Sequence, residues 1–269
     1  MTWQKAKRSP SMRPFATLPL LTFLWLFVCL APAHAVTISL CADVWCPYNC
    51  QPASDRPGFA VEIVREVFAQ AGYGVDYQTV SWARCIDDAR SGRFDGIIGA
   101  IPTDALDFTY PSQSIGLSSN GFAYRRGELF HYTGPGSLEG HVLGVVRGYA
   151  FNGALGAYIE AHRLDTSRIE FVSGNGALIK NLEKLAAGRV DLVLDDSNVL
   201  RTTIGNLGLS RQLTLDDVHD GEPVFIGFSP RARHPSMLAR IFDGGILRLR
   251  ESGRVAAILA KYKVADWAH

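Results

Sequence analysis

Beyond residue 35 the chain has no stretch long and apolar enough to cross a bilayer, which takes about 20 residues, so its body reads as soluble. It also has no Gly-x-Ser-x-Gly, His-Glu-x-x-His or phosphate-loop pattern. Nucleophilic, zinc-hydrolase and nucleotide chemistry therefore lack their usual residue sets, and neither an enzyme nor a cofactor is expected. Acidic residues are missing altogether from the first 35 positions, which hold Lys5, Lys7, Arg8 and Arg13. Taking those four from the 27 basic groups leaves 23 against 26 acidic ones, a net charge of −3, so nucleic acid is not an expected partner.

That opening segment runs basic, then apolar over 18–30, then small at Ala33 and Ala35. The order is that of an export signal, with cleavage expected after Ala35, and it places the mature chain in the periplasm. The apolar run of about 13 residues is short for a membrane anchor. Cys29 raises lipid attachment, but Phe27 and Val28 are bulky where such a site favours small residues.

Export permits disulfides. Cys41, Cys46, Cys50 and Cys85 remain after cleavage and allow three complete pairings, among which sequence does not choose. Cys46 with Cys50 is preferred, across the loop Pro47-Tyr48-Asn49, which leaves Cys41 for Cys85. Their spacings are not those of a paired Cys-x2-Cys site and no histidine of the mature chain lies near them, so no metal is expected.

Apolar periodicity then sets out the body of the chain. Strands are expected at 36–40, 75–80 and 94–98, alternating with helices at 59–68 and 82–90. The order repeats with strands at 142–146, 169–172 and 190–194 and helices at 151–161 and 177–187. Extended runs at 121–126 and 224–228 and helices at 234–249 and 253–262 complete the pattern. Alternating strands and helices indicate α/β lobes built on parallel sheets. Lobe 1 is expected to be discontinuous, 36–124 with 226–269, and lobe 2 to span 125–225, with crossings near 121–127 and 222–229. Ligands of such folds bind beyond the carboxyl ends of the strands, where the lobes face each other.

Six motifs recur in a fixed order: Gly58-Phe59-Ala60-Val61-Glu62, Gly92-Arg93-Phe94-Asp95-Gly96, Asp107-Phe108-Thr109-Tyr110-Pro111, the run from Ser137-Leu138-Glu139-Gly140 to Gly144 and Gly148, Gly188-Arg189-Val190-Asp191 followed by Asp196, and Gly253 with Ile258 and Tyr262. Through them, over about 38–263, the chain resembles the extracytoplasmic solute-binding proteins of the amino-acid-binding family 3 type that serve ABC importers. The resemblance implies a type II periplasmic-binding-protein-like fold of two α/β lobes, with a ligand cleft and two hinge crossings. It further implies a monomer that captures a small polar ligand, carboxylate-bearing or zwitterionic, and delivers it to a membrane permease. The alternative is a protein that presents its closed form to a sensor ectodomain. A dehydratase-like enzyme, which would need an acid such as Asp104 or Asp196 in the cleft, is a remoter possibility.

The chain departs from the family in two places. Ile101-Pro102-Thr103-Asp104-Ala105-Leu106-Asp107 lacks the arginine that clamps a ligand carboxylate, and Gly148-Tyr149-Ala150 replaces a Gly-Thr/Ser step. Within a subgroup bearing Trp82-Ala83-Arg84 and the Cys-containing loop Trp45-Cys46-Pro47-Tyr48, Arg84 becomes the expected anion clamp, since guanidinium grips carboxylate bidentately. Its other reading is a pair with Asp87 or Asp88 on its own helix. Asp196 is the candidate for a ligand cation, or else a helix cap, and Asp195 reads as a cap or surface residue. Trp45, Trp82 and Tyr149 are expected to sandwich the ligand, with Tyr48, Tyr110 and Phe151 as further aromatic candidates. Arg147 is a second possible anion contact, and Thr103 a hydroxyl one.

Overall fold

The computed structural model describes residues 1–3, 36–218 and 221–267; the expected cleavage site and Cys29 lie outside them. Ten strands form two five-stranded sheets. The first contains β1 (Val36–Ala42), β2 (Tyr73–Thr79), β3 (Gly96–Ala100), β4 (Gly116–Ser118) and β10 (Glu222–Phe228), in the order β2-β1-β3-β10-β4. The second contains β5 (Asn120–Arg125), β6 (Leu143–Val146), β7 (Ile169–Val172), β8 (Leu192–Asp196) and β9 (Leu213–Asp217), in the order β7-β6-β8-β5-β9.

Each sheet is parallel over three strands and then takes one long antiparallel strand from the segment that crosses between lobes. In the first sheet β10 runs antiparallel to both β3 and β4. In the second, β5 runs antiparallel to both β8 and β9. The expected lobe boundaries shift accordingly. Asn120 already pairs with Asp196, so the first passage falls at Ser119 and not at 124. The second lies between Asp217 and Glu222, because Glu222 pairs with Ser118 of lobe 1.

Helices cover the faces. In lobe 1, α1 (Phe59–Gln70) buries Phe59, Val61, Ile63, Val64, Val67 and Phe68, the stripe that its periodicity predicts. It packs on α6 (Pro235–Glu251) at a close approach, where a Cβ on Gly245 would stand 2.5 Å from Val67. The last helix, α7 (Arg254–Tyr262), is tied to α1 through Glu62, which accepts hydrogen bonds from Lys261 Nζ and, at 2.6 Å, from the Tyr262 hydroxyl. The short α2 (Trp82–Arg90) is joined to β1 by a disulfide between Cys41 and Cys85. Lobe 2 carries α3 (Gly153–Ala161), α4 (Ala177–Ala186) and α5 (Ser197–Asn206).

Candidate functional site

The loop after β1 is closed on itself. Trp45 N–H donates to the Asn49 carbonyl at 2.7 Å, the Trp45 carbonyl accepts from Tyr48 and Asn49, and a second disulfide joins Cys46 to Cys50. The Trp45 ring stacks on Tyr48, centroids 4.2 Å apart, and Tyr48 leans on Phe59 at 4.8 Å, so the loop is backed by the lobe 1 core. Gly99 makes room for it: its φ is +88°, and a Cβ there would meet Asn49 Oδ1 at 2.9 Å.

This loop, the start of α2 and the ends of β3, β4 and β10 form one wall of a cavity between the lobes. The loop before α3 and the end of β8 form the other. The cavity has a volume of about 80 Å3. Trp45, Trp82, Tyr149 and Phe151 supply its aromatic surface, and Asp43, Asp104, Asp195, Asp196 and Glu222 its carboxyl groups; among the described residues no Lys, Arg or His lines it.

Hydrogen bonds cross it in both directions. Trp45 Nε1 donates to Asp195 Oδ1 at 2.7 Å, and the Tyr149 hydroxyl donates to Asp43 Oδ2 at 2.6 Å. Asn152 Nδ2 donates to Glu222, and Ser118 Oγ donates to Asp196 Oδ2 at 3.0 Å. Burial pushes three of the carboxyls upward, Asp43 to about 6, Asp104 to about 7 and Asp195 to about 8, and it raises Asp196 too. Neighbouring carboxylates add to the rise: Asp43 acts on Asp104, and both Asp196 and Asp43 act on Asp195.

Of the residues singled out from sequence, Trp45, Trp82, Tyr149, Phe151 and Asp196 lie at the cavity. Tyr48 sits behind Trp45, fully buried, with its hydroxyl 2.6 Å from the Leu117 carbonyl. Thr103 is exposed, with Oγ1 3.4 Å from Asn152 Oδ1. Tyr110 turns away and donates to the Ala105 carbonyl at 3.1 Å. Arg147 lines an adjoining recess that shares Asp43, Trp82 and Tyr149 with the cavity, its guanidinium 4.9 Å from the centre of the Phe171 ring.

Arg84, the expected anion clamp, is not among the residues that line the cavity. Its side chain is 66% exposed and pairs with Asp88 at 3.3 Å one turn along α2, so the helix-internal reading is the one the structure shows. The two aspartates of β8 also exchange emphasis. Asp196 is the cap of α5: Oδ1 accepts from the amides of Asn198 and Val199, and Oδ2 from the Ser119 amide at the lobe passage. Asp195, read as a cap or surface residue, is 1% exposed and faces the cavity. Asp43, Asn49, Asn152 and Glu222 were not singled out. Asn49 carried a signal, since it stands between the two cysteines of a short loop.

Comparison with known proteins agrees with this architecture. The family described as bacterial extracellular solute-binding proteins, family 3, matches residues 38–265. No match was found among curated protein sequences. Among solved structures, a histidine kinase sensor domain with similarity to periplasmic binding proteins is 21% identical, with a TM-score of 0.70 over 84% of this chain and 95% of that one. A structure concerning glutathione import via GshT and the cystine ABC importer TcyBC of Streptococcus mutans is 20% identical, with a TM-score of 0.69 over 84% and 94%. An ancestral arginine-binding protein bound to glutamine is 15% identical, with a TM-score of 0.69 over 84% and 97%. At these identities the structures show a shared fold, and the family match over nearly all of the described chain shows more: the protein belongs to the bacterial extracellular solute-binding proteins, family 3.

Proposed function

We propose that this protein captures a small polar solute in the cavity between its lobes, in the periplasm, and hands it as a monomer to the membrane permease of an ABC importer. The observation that carries the reading is the pair of reciprocal bonds across the cavity, Trp45 to Asp195 and Tyr149 to Asp43, which exist only when the lobes are together. In a type II two-lobed fold hinged at Ser119 and between Asp217 and Glu222, a ligand touching both walls stabilises the closed form by its differential affinity for it. A permease that recognises the closed face then receives only loaded protein. The family membership is that of binding proteins and favours no catalytic step.

A second reading, presentation of the closed form to a sensor, draws on the likeness to a kinase sensor domain. Native mass spectrometry of the mature protein, followed by denaturation to weigh what is released, tests solute capture itself. A retained small molecule that induces compaction in small-angle scattering is the expected result. A protein that retains nothing, and whose melting no small molecule shifts, contradicts it. Reconstituted uptake with the permease then separates transport from sensing.

A further inference from the structure

The polar groups of the cavity are unevenly used. Four of its side-chain donors are directed at the protein's own carboxyls: Trp45 at Asp195, Tyr149 at Asp43, Ser118 at Asp196 and Asn152 at Glu222. Asp104 gathers a further set. Its Oδ2 accepts from the Ile101 amide at 2.9 Å, its Oδ1 faces Trp82 Nε1 at 3.5 Å, and the Ala150 amide, in the loop before α3, favours its charged form. Backbone and indole N–H groups suited to a ligand anion thus already serve an internal one.

What is left over is of the opposite kind. Asn49 Oδ1 and Asp195 Oδ2 are buried at the cavity, on residues each 1% exposed, and neither has a hydrogen-bond partner. Asn49 cannot present its amide instead, because Nδ2 is held by the Asp43 carbonyl at 2.7 Å. Asn49 Oδ1 is an acceptor, and Asp195 Oδ2 becomes one when its carboxyl ionises, as it does beside a bound cation, so the pair calls for N–H groups carried on positive charge. Five carboxyls with no basic side chain among them call for positive charge, and the Trp45, Trp82, Tyr149 and Phe151 rings favour a cation as well. A metal ion fits poorly, for among the described residues no three His, Cys, Asp or Glu groups converge to hold one.

We infer that the ligand is an organic cation with N–H donors and no carboxylate, an amine or guanidine, held between Asn49 Oδ1 and Asp195 Oδ2 within the aromatic wall. This rests on the cavity being the solute site, and it departs from the carboxylate-bearing ligand that the sequence resemblance implies. The missing clamp is then no defect: an amino acid would bring its carboxylate into a cavity already lined with five carboxyls.

Matched pairs of ligands test it. Calorimetric titration at pH 8 compares agmatine with L-arginine and cadaverine with L-lysine, each pair differing by one carboxylate, and includes choline as a cation without N–H groups. The expected result is binding of at least one amine at least about tenfold tighter than its amino acid, with choline weaker than that amine. Asp195→Asn should weaken the same amine by a similar factor, while its melting at pH 5 stays within the range of the parent protein. Amino acids binding as tightly as the amines, or choline matching them, overturn the inference and leave solute capture standing. Failure of every amine also overturns it, and the released-molecule measurement then decides separately whether solute capture survives.

Discussion

The indole N–H of Trp45 in lobe 1 donates to a carboxyl oxygen of Asp195 in lobe 2 at 2.7 Å, and both residues are buried. This bond joins the disulfide-closed loop of one wall to the paired aspartates at the end of β8 in the other. Trp45→Phe keeps much of the stacking on Tyr48 but leaves Asp195 Oδ1 with only the Asp196 amide. Chemical denaturation at pH 6 should show a loss of about 1–3 kcal/mol. Unchanged stability would mean that the bond contributes nothing to holding the lobes together.

Protonation should govern the ligand-free protein. Asp43, Asp104 and Asp195 have native values of about 6, 7 and 8, above those of an unfolded chain, so the folded state binds more protons than the unfolded one across this range. Their contribution is complete below about pH 4 and is lost as pH rises through the native values. The groups around them are Asp196, Glu222, Tyr48 and Tyr149, with no base lining the cavity to offset the trend. The melting temperature should therefore fall from pH 5 to 8.5, and Asp195→Asn should flatten the upper part of that fall. A melting temperature rising over this interval would contradict the burial of these carboxyls.

Arg84→Ala should leave both ligand affinity and stability nearly unchanged, the latter within about 0.5 kcal/mol, as for an exposed pair one helical turn apart. Titration with any bound ligand checks this. A large loss of affinity would restore the anion clamp and disprove the position of the side chain.

Asp196→Ala removes the acceptor for the Asn198 and Val199 amides at the start of α5 and for the Ser119 amide at the lobe passage. Urea denaturation should register a loss of about 2 kcal/mol, combining a lost cap with a newly unpaired buried amide. Asp196→Asn, which keeps one acceptor oxygen, should lose less.

Much of this was legible in the sequence, and what was not has geometric causes. The helices at 59–70 and 82–90 and the parallel strands of both sheets follow from local apolar spacing. The run at 120–125 also read as extended, but nothing local says which sheet it joins; its partners, β8 and β9, lie some 70 to 90 residues on. The three residues of β4 are too few to show a period. At the site, loop position revealed the aromatics. Arg84 stands outside the cavity because two steps along a helix turn a side chain through about 200°, so a neighbour of inward-facing Trp82 points out. On β8 nothing local says that both Asp195 and Asp196 reach the cavity, since neighbouring residues of a strand ordinarily face opposite sides.

The position of β10 bears on how the molecule is made. Lobe 2 spans one unbroken stretch, from β5 to β9, so all of its sheet exists before residue 222 has been added. Lobe 1 has to wait, because β10 fills the gap between β3 and β4, and α6 and α7 then close over α1. As the chain emerges from its N-terminus, the later lobe becomes complete first and the earlier lobe stays open. Glu222 and Val224, which line the cavity, arrive on that same strand. The cavity between the lobes is therefore completed only after lobe 2 is whole, and a chain halted short of its final fifty residues would hold a finished lobe and an unfinished cavity wall.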